Sequence, residues 1–335
     1  MWQFLQPINL IRYLIVLRTN IPLVRLPGCL PVELSLVLGN AITERLPTQA
    51  RRPWRKALAV WEAYGGLEVV GKKKPSKPVP EAQWPVQTTF FVYPGKYDYG
   101  KDELLFLELK LMGESADHAL FLEIILPALE SLGYDRQAKW SGKTTLWGHF
   151  DIHAVYVARG PQWRPLVQDG KLDLDFRATP KQWAHRLKFS YDETYSRLTW
   201  LTPFDFSPPG TAPKSSKKRK NAPAAEVPTL RDILESLTER ISQLLPGKYN
   251  TPQDAWQAIA PEWQFNLLDA LAQAEETRLR RWKLKPAPKE WPGRWIGEQR
   301  FDPIPLAVLP FLELASILHV GRGTHFGAGT FRLDQ

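Results

Sequence analysis

The sequence predicts an α+β fold built from two tandem ferredoxin-like domains, each an antiparallel sheet with helices on one face. Two observations lead to this prediction. In the first half of the chain, strand-like and helix-like stretches alternate in the order β-α-β-β-α-β, and the second half repeats much of that order. Each half also closes with an apolar helix, a short glycine-bracketed turn and a strand.

The elements of the first half follow from residue composition and hydrophobic period. Runs rich in β-branched and aromatic residues predict strands, and apolar residues at helical spacing predict helices. The predicted strands span 9–19, 90–95, 104–113 and 149–158, and the predicted helices span 31–46 and 117–132. The lysine- and proline-rich stretch 71–85 predicts a basic loop. Together these elements predict an N-terminal domain over 1–160.

The second half, 161–335, is predicted to form the C-terminal domain. Its predicted strands span 185–190, 197–206, 278–286, 293–303 and 329–334, and its predicted helices span 229–245, 254–276 and 306–319. Thr229 is expected to be the N-cap of the first of these helices. The segment 207–228 is poor in apolar residues and rich in Pro, Ala and Lys, so we expect a disordered basic insertion there.

The composition favours a polyanionic partner and excludes several classes of protein. The 335 residues include 44 Lys and Arg against 35 Asp and Glu, a net charge of +9, and 14 tryptophans that could stack on bases or pack in the core. The single cysteine, Cys29, excludes an internal disulfide framework and a cysteine-rich zinc site, and it favours a reducing, cytoplasmic location. No long uncharged stretch predicts a membrane span, and the N-terminus does not have the pattern of a signal peptide.

Two glycine turns share one pattern. GKTTLWG at 142–148 and GRGTHFG at 321–327 both run Gly, basic residue, any residue, Thr, any residue, aromatic, Gly. Glycines allow positive φ and close approach of a ligand, successive N–H groups can bind an anion, and Lys143 or Arg322 would add a charged donor. The alternative is a tight helix-to-strand connection without a ligand. A Walker A loop is excluded, because Gln137 stands where that motif requires glycine.

The C-terminal run ILHVGRGTHFGAGTFRL, 317–333, resembles the signature of the CRISPR precursor-RNA-processing endoribonucleases of the RAMP superfamily. The preceding GRWIGEQRFDPIPLAVLPFLELASILH and the strand LTWLTPFDF at 198–206 are similar to the segments that accompany that signature. The resemblance implies tandem ferredoxin-like, RRM-like domains. It also implies a glycine-rich loop, here 321–329, between the last helix and the last strand.

The resemblance further implies an activity and partners. Such enzymes bind CRISPR repeat RNA and cut precursor crRNA without metal or cofactor, and other CRISPR effector subunits are candidate partners; no membrane partner is expected. The 2′-hydroxyl attacks the adjacent phosphate, leaving a 2′,3′-cyclic phosphate. The alternative within the superfamily is a non-catalytic subunit that binds guide RNA in an effector complex. A basic globular protein without a nucleic-acid role is the alternative outside it.

The catalytic candidates are His325, His319 and Arg45. Many members of this family carry a catalytic histidine on or near the first helix, but 31–46 contains none. A histidine is suited to proton transfer near neutral pH, and His325 lies inside the glycine turn. His319, at a helix end, could instead stabilise the helix dipole. Arg45, with Arg51 and Arg52, could supply positive charge after the first helix.

The sequence gives the other four histidines no clear place in the reaction. His149 and His153 lie four apart, but the sequence identifies no further ligand for a metal site. We expect His118 to be a surface residue, and His185 follows Trp183, which gives only weak support for a place near RNA.

The RNA-binding candidates combine the glycine turns with the strand RLRRWKLKP. On an ideal strand Arg281, Lys283 and Lys285 share one face and Arg280, Trp282 and Leu284 the other, which predicts a basic stripe opposite a packing face. A solvated edge strand is the alternative. Arg294, Arg300 and Arg332 could extend the surface, and no RNP-type octapeptide predicts a standard RNA-recognition motif. The full set of candidates is Gly321, Arg322, Gly323, Thr324, Gly327, Gly329, Lys143, Arg278, Arg280, Arg281, Lys283 and Lys285.

Overall fold

The structure is a computed structural model that describes residues 8–64, 84–93, 95–136, 141–185, 193–207, 222–247, 251–257, 261–288 and 290–335. The chain divides into two compact units, Asn9–Arg186 and Leu187–Gln335, and Ile8 belongs with the second. The sequence placed the boundary at 160/161. The structure places it later, because the strands that follow residue 160 pair with the first sheet.

The first unit contains one six-stranded antiparallel sheet in the order β3-β5-β1-β6-β7-β8. The four strands β3, β5, β1 and β6 have the neighbour order of a ferredoxin-like domain. A two-residue pair, β2 with β4, lies outside this sheet. The strands are β1 Leu10–Thr19, β2 Val24–Arg25, β3 Thr88–Val92, β4 Asp98–Tyr99, β5 Leu104–Met112, β6 Phe150–Arg159, β7 Gln162–Gln168 and β8 Lys171–Leu172.

Helices cover one face of this sheet. The odd-numbered residues of β1 and β5 join the helices in a single apolar core, because alternate strand residues point to the same face. Apolar burial of this extent is the main force that stabilises the unit. The helices are α1 Leu30–Arg45, α2 Thr48–Tyr64 and α3, which comprises His118–Leu120, the π-helical turn Phe121–Ile125 and Leu126–Tyr134.

The second unit repeats the same strand order. Its four-stranded antiparallel sheet runs β10-β11-β9-β12, the order of β3, β5, β1 and β6 in the first unit. The predicted tandem ferredoxin-like fold is therefore confirmed. The elements are β9 Arg197–Trp200, α4 Leu230–Leu244, α5 Pro252–Gln257, α6 Pro261–Glu276, β10 Leu279–Pro286, β11 Trp295–Phe301, α7 Leu309–Leu318 and β12 Phe331–Asp334.

Helix α4 begins where the sequence predicted. The Thr229 side chain accepts a hydrogen bond from the Asp232 N–H, and the Asp232 carboxylate accepts one from the Thr229 N–H, which forms a capping box. Its apolar residues Ile233, Leu234 and Leu237 are buried, while Glu235 is exposed. The helix therefore contributes one apolar face to the core of the second unit.

Several predicted elements differ from the structure. The strand expected over 197–206 ends at Trp200, and Phe204 forms only an isolated bridge with Trp295. The helix expected over 254–276 is two helices, α5 and α6. Helix α2 was not predicted, because Pro53 and a run of basic residues obscured its apolar spacing.

Three predicted segments lie wholly or mostly outside the described residues: the strand at 185–190, the basic loop at 71–85 and the insertion at 207–228. The last part of the insertion is described and is ordered. Ala222 and Val227 are buried, and the Ala222 carbonyl accepts a hydrogen bond from the Trp282 indole at 3.1 Å. Among the described helices, none combines the length and apolar composition that a bilayer crossing requires.

Candidate nucleic-acid interface

The glycine loop of the second unit connects α7 to β12 through several residues with positive φ. Helix α7 ends at Leu318, and His319 has φ 62° and ψ 142°, a conformation that non-glycine residues rarely adopt. Gly321, Gly323, Gly327 and Gly329 have φ of 78°, 75°, 75° and 77°. Between the second and third of these glycines, Thr324–Phe326 forms one 3₁₀ turn.

Most backbone groups of this loop are engaged within their own unit. The N–H of Val320 donates to the Gly329 carbonyl at 3.1 Å, that of Arg322 to the Asp205 carbonyl at 2.9 Å, and that of Gly329 to the Pro203 carbonyl at 2.9 Å. A Cβ on Gly329 would lie 1.7 Å from the Val320 oxygen. The glycines therefore serve the close packing of the loop itself, which is the alternative that the sequence left open.

Both loop histidines are buried. The His319 ring is 1% exposed, and its Nδ1 lies 3.1 Å from the Ala328 carbonyl and 3.2 Å from the Gly327 carbonyl. Because a carbonyl only accepts, Nδ1 of His319 is the donor. The His325 ring is 2% exposed and lies edge-on to Phe326 at 4.9 Å. In this conformation neither ring presents a nitrogen to solvent, so a catalytic role for either requires the loop to open.

The other loop candidates differ in exposure. Arg322 is half-buried at the rim of the loop, and Thr324 is buried beneath it. Gly321 and Gly323 are half-buried, whereas Gly327 and Gly329 are buried. Arg322 is thus the charged side chain of the loop that lies nearest to solvent.

Two residues of α4 form hydrogen bonds with the backbone where the glycine loop begins. Neither of them was predicted from the sequence as part of the site. The Ser236 hydroxyl accepts the Gly321 N–H at 2.8 Å, and Nε of Arg240 donates to the Leu318 carbonyl at 3.3 Å. The Leu318 carbonyl lies at the negative end of the α7 dipole, where a cation is stabilising. Burial lowers the pKa of Arg240 to about 10. Their four-residue spacing on α4 was the only signal available in the sequence.

The first glycine turn, residues 142–148, has two structural features in common with the second. Trp147 is fully buried and its indole donates to the Glu33 carboxylate at 2.5 Å, just as Phe326 is buried in the second turn. The last glycine of each turn, Gly148 or Gly327, has positive φ. Lys143 is exposed at the tip of the first turn, so it remains available to an anion. The sequence pattern that the two turns share therefore corresponds to a buried aromatic side chain followed by a glycine with positive φ.

The exposed side of the second sheet is strongly basic. Strand pairing places Arg281 opposite Arg300 and Arg300 opposite Arg197, which forms a row of arginines across three strands. Lys283 and Lys285 continue the same face along β10. We call this surface the basic face; its described cations are Arg197, Arg281, Lys283, Lys285, Arg300 and Arg332, and its acids are Glu298 and Asp334.

The cations of the basic face differ in whether they form ion pairs with described acidic residues. Asp334 accepts from Arg332 at 2.7 Å and lies 3.5 Å from Arg197. In contrast, Arg281, Lys283, Lys285 and Arg300 are exposed, and none of them forms an ion pair within the described part of the chain. These four side chains are the residues best placed to contact phosphates.

Two further RNA-binding candidates, Arg278 and Arg280, lie beside the basic face. The register of β10 shifts between Leu279 and Arg281, so Arg280 does not alternate regularly with its neighbours. Its guanidinium forms an ion pair with Asp302. The expectation that Arg280 packs with Trp282 and Leu284 is therefore wrong, because Arg280 is exposed. Arg278 precedes the strand and is also exposed.

The basic residues that follow α1 lie in the first unit. Arg45 and Arg52 are exposed. Arg51 donates to the carbonyls of Glu44 at 3.0 Å and Leu46 at 2.9 Å, so it stabilises the C-terminal end of α1. Arg45 therefore remains an accessible candidate, whereas Arg51 has a structural role.

The other histidines do not form a metal site among the described residues, where no group of three or more metal-binding side chains occurs. The expectation that His118 lies on the surface is wrong: it is 9% exposed, and its Nδ1 lies 2.9 Å from the Tyr13 hydroxyl. Nε2 of His149 donates to the Gly142 carbonyl at 3.0 Å, which ties it to the first glycine turn. His153 is half-buried on β6.

Comparison with known proteins points in one direction. Residues 198–331 match the model of the family described as CRISPR-associated endoribonuclease Cas6. No curated protein matches the sequence of the chain. Among solved structures, a Cas6 product complex is 16% identical with a TM-score of 0.46, and the match covers 97% of this chain and 100% of that one.

Two further solved structures are similar. The Cas6 of Thermus thermophilus is 16% identical with a TM-score of 0.43, over 98% of this chain and 99% of that one. A chain of a partial Cas6-RT-Cas1–Cas2 complex is 12% identical with a TM-score of 0.48, over 98% of this chain and 46% of that one. These TM-scores lie below 0.5, so the similarity to the Cas6 family rests on the family-model match over 198–331.

The duplicated topology and the glycine loop before the last strand define the chain as an α+β protein with tandem ferredoxin-like domains. Over residues 198–331, the chain matches the family of CRISPR-associated endoribonucleases described as Cas6. The resemblance found in the C-terminal sequence is thereby confirmed.

Proposed function

We propose that this protein is an endoribonuclease that binds CRISPR repeat RNA and cuts precursor crRNA. The observation that carries the proposal is the Cas6 family match over 198–331, the segment that contains the glycine loop and most of the basic face. A surface with four exposed cations that form no ion pair with the described residues suits a phosphate backbone, because each phosphate contact releases counterions. The partner is CRISPR repeat RNA, and the reaction uses no cofactor.

The reaction is an in-line attack by the RNA on itself. The 2′-oxygen forms a bond to the adjacent phosphorus while the bond from phosphorus to the 5′-oxygen breaks, which leaves a 2′,3′-cyclic phosphate and a 5′-hydroxyl. A base accepts the 2′-hydroxyl proton and an acid supplies a proton to the leaving oxygen. Cations stabilise the negative charge that develops on the phosphate oxygens.

The candidates for these roles differ in accessibility. Among the catalytic candidates and the glycine-loop residues, Arg45 and Arg322 are cations that can reach an RNA, since Arg45 is exposed and Arg322 is half-buried. His319 and His325 are buried, which favours a part in shaping the loop. We therefore propose that Arg322 contacts phosphate at the glycine loop of the second unit, that Arg45 contacts phosphate on the first unit, and that any proton transfer by His325 follows movement of the loop.

Cleavage of repeat RNA tests the proposal. The purified protein would be incubated with its own repeat RNA in EDTA, beside an RNA with a single 2′-deoxy nucleotide at the cut junction. We expect a single cut with a cyclic phosphate end in the first RNA and none in the second. Binding without any cut would instead support the RNA-holding subunit as the function.

Matched variants assign the roles. Arg322→Ala and Arg45→Ala should each lower the single-turnover rate while the protein still binds RNA. His325→Ala should lower the rate only if its ring reaches the RNA, and its melting temperature must be measured because the ring is buried. Arg159→Ala, an exposed arginine at the end of β6, is the control and should cut normally.

A further inference from the structure

The first sheet carries an exposed aromatic pair that no role described above uses. On the face opposite the helices, Phe106 of β5 is 41% exposed and Tyr93, which follows β3, is 38% exposed. The Tyr93 N–H donates to the Phe106 carbonyl at 3.1 Å, so the two residues lie directly opposite each other. Opposite side chains in an antiparallel pair have Cβ atoms about 5 Å apart. The two rings therefore form one surface.

The surroundings of this pair complete a small platform. Leu104, two residues before Phe106 on the same face, is 38% exposed, and Arg18 lies opposite Leu104 in the register. The Arg18 guanidinium is 3.8 Å from the Asp151 carboxylate, a long and exposed ion pair. A pair of this kind contributes little energy, so Arg18 can exchange it for a phosphate.

A buried ion pair fixes the Tyr93 ring. The Arg12 guanidinium donates to the Glu108 carboxylate at 2.6 Å, and the Arg12 guanidinium also stacks over Trp163. Burial and the Glu108 charge raise the pKa of Tyr93 to about 12, with a hydrogen bond to the same carboxylate acting in the same direction. The hydroxyl is thereby held as a donor while one side of the ring faces solvent.

The state of Glu108 supports this arrangement. Burial alone would raise its pKa, but the charges of Arg12 and Lys110 and hydrogen bonds from Arg12 and Tyr93 hold that pKa below its usual value. The carboxylate is therefore ionised and accepts the Tyr93 hydroxyl. A ring held in place before binding loses little conformational entropy when a ligand stacks on it.

We propose that Tyr93 and Phe106 stack on an unpaired base of the bound RNA, with Arg18 contacting the adjacent phosphate. This inference rests on the proposed RNA-binding function and adds a second contact surface, in the first unit. The choice of ligand follows from the chemistry: exposed rings on a ferredoxin-like sheet stack on bases that are not paired, and a neighbouring arginine suits the phosphate. Such stacking tolerates any base, because every base has a π-face.

Fluorescence of a single-stranded RNA with one 2-aminopurine tests the site. Wild-type protein should quench the probe and bind it. Phe106→Ala should weaken binding about five- to a hundredfold, the range expected for the loss of one stacked base. Phe106→Leu keeps apolar contact and packing but has no ring, so it should also lose quenching. Tyr134→Ala removes a more accessible ring, 67% exposed at the end of α3, and should bind as wild type does.

The outcomes separate this inference from the proposed function. If wild-type protein cuts repeat RNA but Phe106→Ala and Phe106→Leu bind and quench the probe normally, the stacking site is wrong and the function stands. If wild-type protein shows no salt-sensitive affinity for any RNA, both fail. Unchanged melting temperatures show that the variants are folded, which is expected because the Phe106 ring is partly exposed.

Discussion

At the scale of single residues, steric fit constrains the glycine loop most tightly. Gly323 and Gly329 both have positive φ, so an alanine at either position would be strained by about 1–2 kcal/mol. Their surroundings differ. A Cβ on Gly323 would lie 3.1 Å from the Pro292 Cβ, whereas a Cβ on Gly329 would lie 1.7 Å from the Val320 carbonyl oxygen. A side chain can shift, but the backbone oxygen cannot move without breaking the loop.

This contrast gives a matched prediction. Gly329→Ala should lower the free energy of unfolding by at least about 3 kcal/mol, and Gly323→Ala by only about 1–2 kcal/mol. Urea unfolding of both variants beside wild type measures the difference. Equal losses would show that backbone conformation, and not the contact with Val320, makes glycine necessary at Gly329.

A second residue-scale prediction concerns pH. His118 is buried against Tyr13, and burial lowers its pKa below the usual 6.5, although a hydrogen bond with the Phe176 backbone opposes the shift. The folded state thus favours the neutral ring. Below about pH 6.5 the unfolded chain binds a proton that the folded chain resists, so stability falls as the pH drops.

His118→Leu should therefore weaken the loss of stability between pH 7 and pH 5. The measurement is the urea midpoint of wild type and variant at both pH values. His153→Leu, at a half-buried position on β6, controls for the general effect of replacing a histidine with leucine. An identical midpoint shift in wild type and His118→Leu would contradict the prediction.

At the scale of elements, the hairpin of β10 and β11 carries the expected phosphate contacts. Arg281 and Lys283 are exposed on the basic face and form no ion pair within the part of the chain that the structure describes, whereas the neighbouring Arg280 is already paired with Asp302. The double variant Arg281→Ala/Lys283→Ala should weaken binding of RNA of any sequence and reduce the slope of log affinity against log salt by about 2.

The single variant Arg280→Ala is the control for this hairpin. Its guanidinium already has a carboxylate partner, so its loss should change the salt slope by less than that of Arg281→Ala. Binding titrations at several salt concentrations measure both. A loss confined to one RNA sequence would instead indicate base readout by the hairpin.

The same elements show how far sequence reasoning reaches. Local period and capping predict the helices α1, α3, α4 and α7 and, apart from β7 and β8, the strands of both sheets, as Thr229 illustrates. Helix α2 and the added strand β7 do not, because Pro53 masks a helical period and Gln162–Gln168 has little apolar alternation. Contacts with parts of the chain that are distant in sequence stabilise α2 and β7, and such contacts cannot be predicted from a local sequence pattern.

The candidate site was predictable in a similar way only in part. The alternation of Arg281, Lys283 and Lys285 gave the basic stripe, since alternate strand residues share a face. Its extension to Arg300 and Arg197 depends on pairing between distant strands. The burial of His319 and His325, and the hydrogen bonds that join Ser236 to Gly321 and Arg240 to Leu318, likewise arise from contacts that are remote in sequence.

At the scale of the whole molecule, the two sheets offer different chemistry. The basic face of the second sheet has cations and, among its described residues, no aromatic side chain, since Trp200, Trp295 and Phe331 are buried on the other side. The first sheet exposes Tyr93 and Phe106 instead. A duplex has a dense array of phosphates and no free base, whereas a single strand offers bases for stacking. The second unit is thus suited to an RNA stem and the first to an unpaired flank.

This difference predicts how the two surfaces combine. We expect a hairpin RNA with a single-stranded flank to bind more tightly than either the hairpin or the flank alone. Arg281→Ala/Lys283→Ala should weaken binding of the hairpin with or without its flank, whereas Phe106→Ala should matter only when the flank is present. Because Phe106 belongs to the first unit and Arg281 and Lys283 to the second, we expect their effects on the complete RNA to add within about 0.5 kcal/mol. Affinities of the three RNAs for wild type, both variants and their combination measure this. If Phe106→Ala weakens binding of the hairpin without a flank as strongly as binding of the hairpin with one, the Phe106 ring contacts the stem. The two sheets would then not bind separate parts of the RNA.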